Sequence, residues 1–157
     1  MAESKTFPAA QDVKFILCED VRREHTGKLL VIGLYPGEQV VMHRPKPIAE
    51  TAGVAAIDSL VLLFIARNGL GEFAGRLAIE GPNGEPVLNG PMQKVELRES
   101  ASGTLIAGFK PFPVRQFGHH RVTLFLDERP YCFAFEIREG APVQREEKPD
   151  SKVRKKK

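Results

Sequence analysis

The chain has 157 residues, 42% of them hydrophobic, with ten Phe, two Tyr and no Trp, enough for one packed domain plus tails. No apolar run approaches the roughly 18 residues of a membrane span, and two cysteines do not make a secreted disulfide framework. The net charge of +3 divides unevenly: residues 140–157 hold seven basic and three acidic side chains, so the tail carries +4 and the body −1. The polar start, MAESKTFPAAQD, lacks the basic-then-apolar pattern of a signal peptide, so a cytoplasmic protein is expected.

Residues 1–11 show no periodicity and read as a flexible arm, which places one domain at 12–139 and a disordered basic tail at 140–157. Residues 13–36 read as two apolar strands joined by the polar link 22–27, with Gly27 turning the chain back. In the first, Val13, Phe15 and Leu17 share one face, and Lys14, Ile16 and Cys18 the other. Leu29–Leu34 is unbroken apolar sequence, the pattern of a strand covered on both faces and central to its sheet. Pro36-Gly37 marks a turn, and residues 38–42 offer a short strand. Residues 43–57 are the least regular; Pro45 and Pro47 force extended backbone, and the Ala-rich 48–57 has room for one helical turn broken at Gly53.

Leu60–Ala66 is a second continuous apolar run, ended by Asn68-Gly69. Phe73, Gly75, Leu77 and Ile79 alternate with Ala74, Arg76, Ala78 and Glu80, the period of a half-buried strand. Gly81-Pro82-Asn83-Gly84 is a turn, Val95 and Leu97 alternate with charged neighbours, and residues 104–109 make another strand. Pro111 and Pro113 bracket an exposed loop running to Gly118. The clearest hairpin comes last: Val122, Leu124 and Leu126 face one way, and Tyr131, Phe133, Phe135 and Ile137 line one face of the returning strand. Eight or nine strands with little helix and no crossover helices point to an all-β fold, an antiparallel Greek-key β-sandwich.

The segments FILCEDVRREHTGKLLVIGLYPGE, GEFAGRLAIEGPNGEP and HRVTLFLDERPYCFAFEI resemble a family of small bacterial proteins, a domain of unknown function, that share an acidic Cys-Asp/Glu-Asp-Val-Arg-like segment and a closing hairpin. The resemblance covers most of residues 13–138 and implies a C2- or immunoglobulin-like sandwich. It implies no activity and no functional residue, because its motifs are strand patterns.

Few residues group as chemistry requires. Cys18 and Cys132, in the first and last strands, are in position to meet if those strands adjoin; they read as free thiols of a reducing compartment that bind no metal. The histidines, His25, His43, His119 and His120, form no ligand pair, and the adjacent His119 and His120 point to opposite faces of a strand. Glu19, Asp20, Arg22, Arg23 and His25 are the densest polar group and read as a solvated strand end. Ser59, Ser100 and Ser102 lack a nucleophile frame, and Gly69-Leu70-Gly71 lacks the rest of a phosphate loop. Calcium at the 81–84 turn would need Asp127 and Glu128 to converge on it.

No catalytic, cofactor-binding or metal residue is therefore assigned. The expected function is a non-catalytic interaction or scaffold module whose strand edges recruit a protein partner or a second copy, with no cofactor and no membrane contact. One alternative is nonspecific nucleic-acid binding through Lys152, Arg154, Lys155, Lys156 and Lys157. Another is an enzyme whose site is assembled from scattered loops.

Overall fold

The computed structural model describes residues 4–43 and 55–141. Twelve strands appear among them: β1 (Val13–Arg23), β2 (Leu29–Leu34), β3 (Gln39–His43), β4 (Ala55–Ile57), β5 (Leu60–Ala66), β6 (Gly71–Glu80), β7 (Pro86–Asn89), β8 (Gln93–Leu97), β9 (Gly103–Phe109), β10 (Phe112–Val114), β11 (Gly118–Leu126) and β12 (Arg129–Gly140). The first sheet has the order β2-β1-β5-β9. The second runs β3-β12-β11-β6, with β7 and β8 paired in succession along the far edge of β6. A short ribbon of β4 and β10 completes the all-β sandwich.

The core is the set of inward residues that alternation requires. Leu17, Leu62 and Phe64 from the first sheet meet Ile79, Val122, Leu124, Phe135 and Ile137 from the second. Phe15, Phe64 and Phe133 form a ring cluster across the layers, with centroids 5.3–5.7 Å apart. Ile57, Phe112 and Val114 of the ribbon are buried, so the stretch around Pro111 and Pro113, expected as an exposed loop, is a core-facing strand. The three strands beyond the expected nine are β4, β7 and β10, each of three or four residues and two of them containing proline. One pairing departs from the antiparallel expectation, since β3 lies parallel to β12. The expected helical turn at 48–57 falls largely outside the described residues, and its last three residues are β4.

The arm also differs from expectation. Thr6 bridges Leu70, the Phe7 ring packs 4.9 Å from that of Phe73, and the buried Tyr131 hydroxyl donates to the Pro8 carbonyl at 2.8 Å. One aromatic ring and one buried acceptor are enough to tie a polar segment to the body. At the other end β12 continues to Gly140, one residue past the expected boundary at 139, and His43 Nδ1 lies 3.1 Å from the Ala141 carbonyl. Of the tail expected at 140–157, residues 142–157 lie outside the described residues.

Leu29–Leu34 is not central. The strand β2 is an edge of the first sheet, with Leu30 and Leu34 47% and 58% exposed, and the strand buried on both faces is β5. The strand β1 runs to Arg23, two residues into the expected link at 22–27, but pairs with β5 only as far as Cys18. Beyond that point the ladder with β2 skips the Glu19–Gly33 pair, and Gly33 adopts φ +64 with the Glu19 side chain against it, where a Cβ would be strained and would displace Glu19. Arg23 Nη2 then donates to Thr104 Oγ1 at 3.1 Å. Thr104 shares a row with Ile65 and Lys14, and a straight strand would carry Arg23 about 30 Å from that row. The outer half of the β1–β2 hairpin must therefore double back over the sheet. The inner face is filled by the core, which leaves the outer face. This accounts for Cys18, Val61 and Leu63, which point outward yet are buried.

Candidate interaction edge

The polar residues singled out by sequence do not converge. Asp20 pairs with Arg22 at 3.0 Å in solvent, and that bond holds its carboxyl below the usual range. Arg23 goes to Thr104, and Glu19 lies by Gly33 and Tyr35, where burial first and the carboxylate second push the Tyr35 hydroxyl up. Ser59 Oγ donates to the Glu19 carbonyl at 2.7 Å. His25 is exposed in the turn after β1; His43, on β3, caps Ala141. His119 is exposed while His120 is buried, the opposite-face arrangement that a strand imposes. Gly71 opens strand β6, so no helix follows the Gly69-Leu70-Gly71 stretch.

Asp127 and Glu128 form the β11–β12 turn, where Asp127 Oδ1 accepts from the Ala74 amide at 2.8 Å and Oδ2 pairs with Lys5 at 3.0 Å. The amide first and Lys5 second hold the Asp127 carboxyl below its ordinary range. The turn at Gly81–Gly84 follows the other end of β6, so the two halves of the imagined calcium site stand apart. Among the described residues no three His, Cys, Asp or Glu side chains gather as metal ligands do. No helix among them is long and apolar enough to cross a membrane.

The two cysteines do not meet. Cys18 is buried on the outer face of the first sheet, its thiol 3.8 Å from the Val61 carbonyl, and Cys132 is exposed on the outer face of the second. Burial, then the nearby Asp20 charge, pushes the Cys18 thiol up. Titration of the native protein should find one fast thiol, Cys132, and Cys18 should react only after unfolding. Equal rates at both would show that the hairpin does not cover Cys18.

What the fold does assemble is an edge. Among the described residues, strand β9 pairs with β5 on one side and with no strand on the other. Its sequence, GTLIAGF, contains no charge and no proline, and none of its residues has a left-handed backbone. The other edges are guarded in ways that discourage pairing. Strand β2 is uncharged but broken by Gly33; β7 has four residues and begins with Pro86; β8 carries Lys94 and Glu96; β3 has only five residues. Beside β9 a cleft of about 240 Å³ opens between the two sheets, lined by Leu77, Leu88, Leu105 and Phe109 and by the bare backbone of Gly75, Gly90 and Gly108. Its one polar side chain is that of Gln93. Ile106, opposite Leu63 on the outward face of β9, is 39% exposed, and Met92, between the lining residues Pro91 and Gln93, is 61% exposed.

Sequence reading found β9 as a strand but not as an edge. The available signal was a seven-residue run free of charge and proline, the composition of a segment that pairs readily. Compared with models of known protein families and with curated proteins, the chain matches none.

Proposed function

We propose that the protein is a non-catalytic interaction module of the cytoplasm that takes up an extended polypeptide segment on the free edge of β9. The supporting observation is that edge itself: a long, uncharged strand with open main-chain groups, beside an apolar cleft that accepts alternate side chains. Two free thiols agree with a reducing compartment, and the sandwich agrees with the bacterial family that the sequence resembles. An enzyme assembled from loops gains no support from a cleft whose only polar side chain is an amide.

Panning a peptide display library on the protein tests this reading. The enriched peptides should be extended, uncharged and alternating, and Ile106→Lys should abolish their capture. Enrichment that ignores this substitution would place binding elsewhere and overturn the proposal.

The +4 charge of residues 140–157 favours a second reading, nonspecific binding to nucleic acid. Full-length protein should then bind an unrelated duplex with a slope of log K against log salt of about −0.9 for each phosphate engaged, and a chain ending at Ala141 should not bind. Binding that survives this truncation would mean that the folded body, at −1, carries the contact.

A further inference from the structure

Resting on the interaction reading above, we infer that the segment taken up by β9 is β9 of a second copy, so that two sandwiches join through an antiparallel β9–β9 pair into one eight-stranded sheet. An edge that meets its own copy across a two-fold axis must not oppose like charges or clash with itself. Among the edges, β9 meets both conditions. Side chains of one face must stay on one side of a continuous sheet, so the pairing is centred on a residue and not between two. The register centred on Ile106, the midpoint of Gly103–Phe109, pairs all seven residues of each strand. In it Phe109 lies opposite Gly103 of the partner subunit, and Gly108 opposite Thr104 of the partner subunit. Phe109 and Thr104 thus each meet a glycine, Leu105 meets the small Ala107 of the partner subunit, and Ile106, the exposed apolar residue of the strand, meets itself.

Charged groups stand only toward the ends, where Arg23 binds Thr104 and Lys110 follows Phe109. The centre of the seam is neutral. The two clefts, each lined by β9 residues, would adjoin at the seam. A body charge of −1 adds little repulsion between copies.

The test is sedimentation equilibrium of the full chain over a wide concentration range. The wild type should be a dimer, and Ile106→Lys, which sets two ammonium groups face to face at the centre, should raise the dissociation constant by at least about tenfold. Leu30→Lys, an exposed change on the other apolar edge, should leave it unchanged. In a Cys132→Ser background, Ile106→Cys should give a disulfide-linked dimer on mild oxidation, which reads the register directly. Circular dichroism checks that each variant is folded, as expected for substitutions at exposed positions. A monomer at every concentration, or a dimer indifferent to Ile106→Lys, would overturn the inference. Should the monomer still capture extended peptides through Ile106, the occupant is wrong and the interaction reading stands; should it capture none, both fall.

Discussion

Replacing Phe135 with Ala should destabilise the protein by about 3–5 kcal/mol, the usual cost of deleting a fully buried ring. Phe135 is 1% exposed and stacks on His120 with centroids 5.0 Å apart and planes 13° apart. It also meets the edge of Phe112 at 6.0 Å, so it joins the second sheet to the β4–β10 ribbon. Neighbours fixed in β10 and β11 cannot readily collapse into the space, which puts the expected cost toward the upper end. Phe133→Ala should cost less, because that ring is half-buried although it touches Phe15 and Phe64. Urea unfolding decides the matter. A loss below about 1 kcal/mol for Phe135→Ala would mean that the ring does not fill the core.

Acid should weaken the fold through His120 before any carboxylate acts. The imidazole is buried between Phe112 and Phe135, with Nδ1 3.1 Å from the Gly118 carbonyl, so the neutral ring donates there and desolvation opposes a charge. Burial holds its pKa below the ordinary 6.5. Below pH 6.5 the unfolded chain therefore binds a proton that the native state lacks. The stability tied to His120 is complete above that pH and is lost as the pH falls toward the native value. The slope from this one group reaches at most about 1.4 kcal/mol per pH unit. The lowered carboxyls of Asp20, Asp127, Glu96 and Glu136 start from 3.8 or 4.5, so their contribution is lost at lower pH. Unfolding measured between pH 7 and about pH 5 should show this slope in the wild type and not in His120→Gln. Equal slopes would show that the ring reaches solvent or protonates in place.

Much of the fold was legible because it rests on local alternation. The inward rows of β6, β11 and β12 read correctly, since each apolar side chain reports its own face. What failed depends on partners far along the chain. Leu29–Leu34 carries the composition of a central strand yet lies at an edge, and its exposed Leu30 and Leu34 sit on a hairpin that doubles back over β5. The bend needed Gly33 at φ +64 and an Arg23–Thr104 bond across 81 residues, neither of which leaves a periodic trace. Strands β4 and β10 are too short for a period, and the proline in β10 resembles a turn. The docking of the arm turns on Phe7, Thr6 and the Pro8 carbonyl, three groups with no shared period. For the candidate edge, composition was visible and position was not: GTLIAGF is an open edge only because, among the described residues, no strand follows β9 in the sheet order.

Amide hydrogen exchange resolved along β9 tests the central claim most directly. In a free edge strand, every second amide between Gly103 and Phe109 points away from β5 and lacks a strand partner. These amides should exchange fast in dilute protein and slow markedly when the protein is concentrated or saturated with a captured peptide, while the amides facing β5 stay protected throughout. Uniform protection of β9 at every dilution, or outward amides that stay fast when partners are bound, would contradict an interaction through this edge.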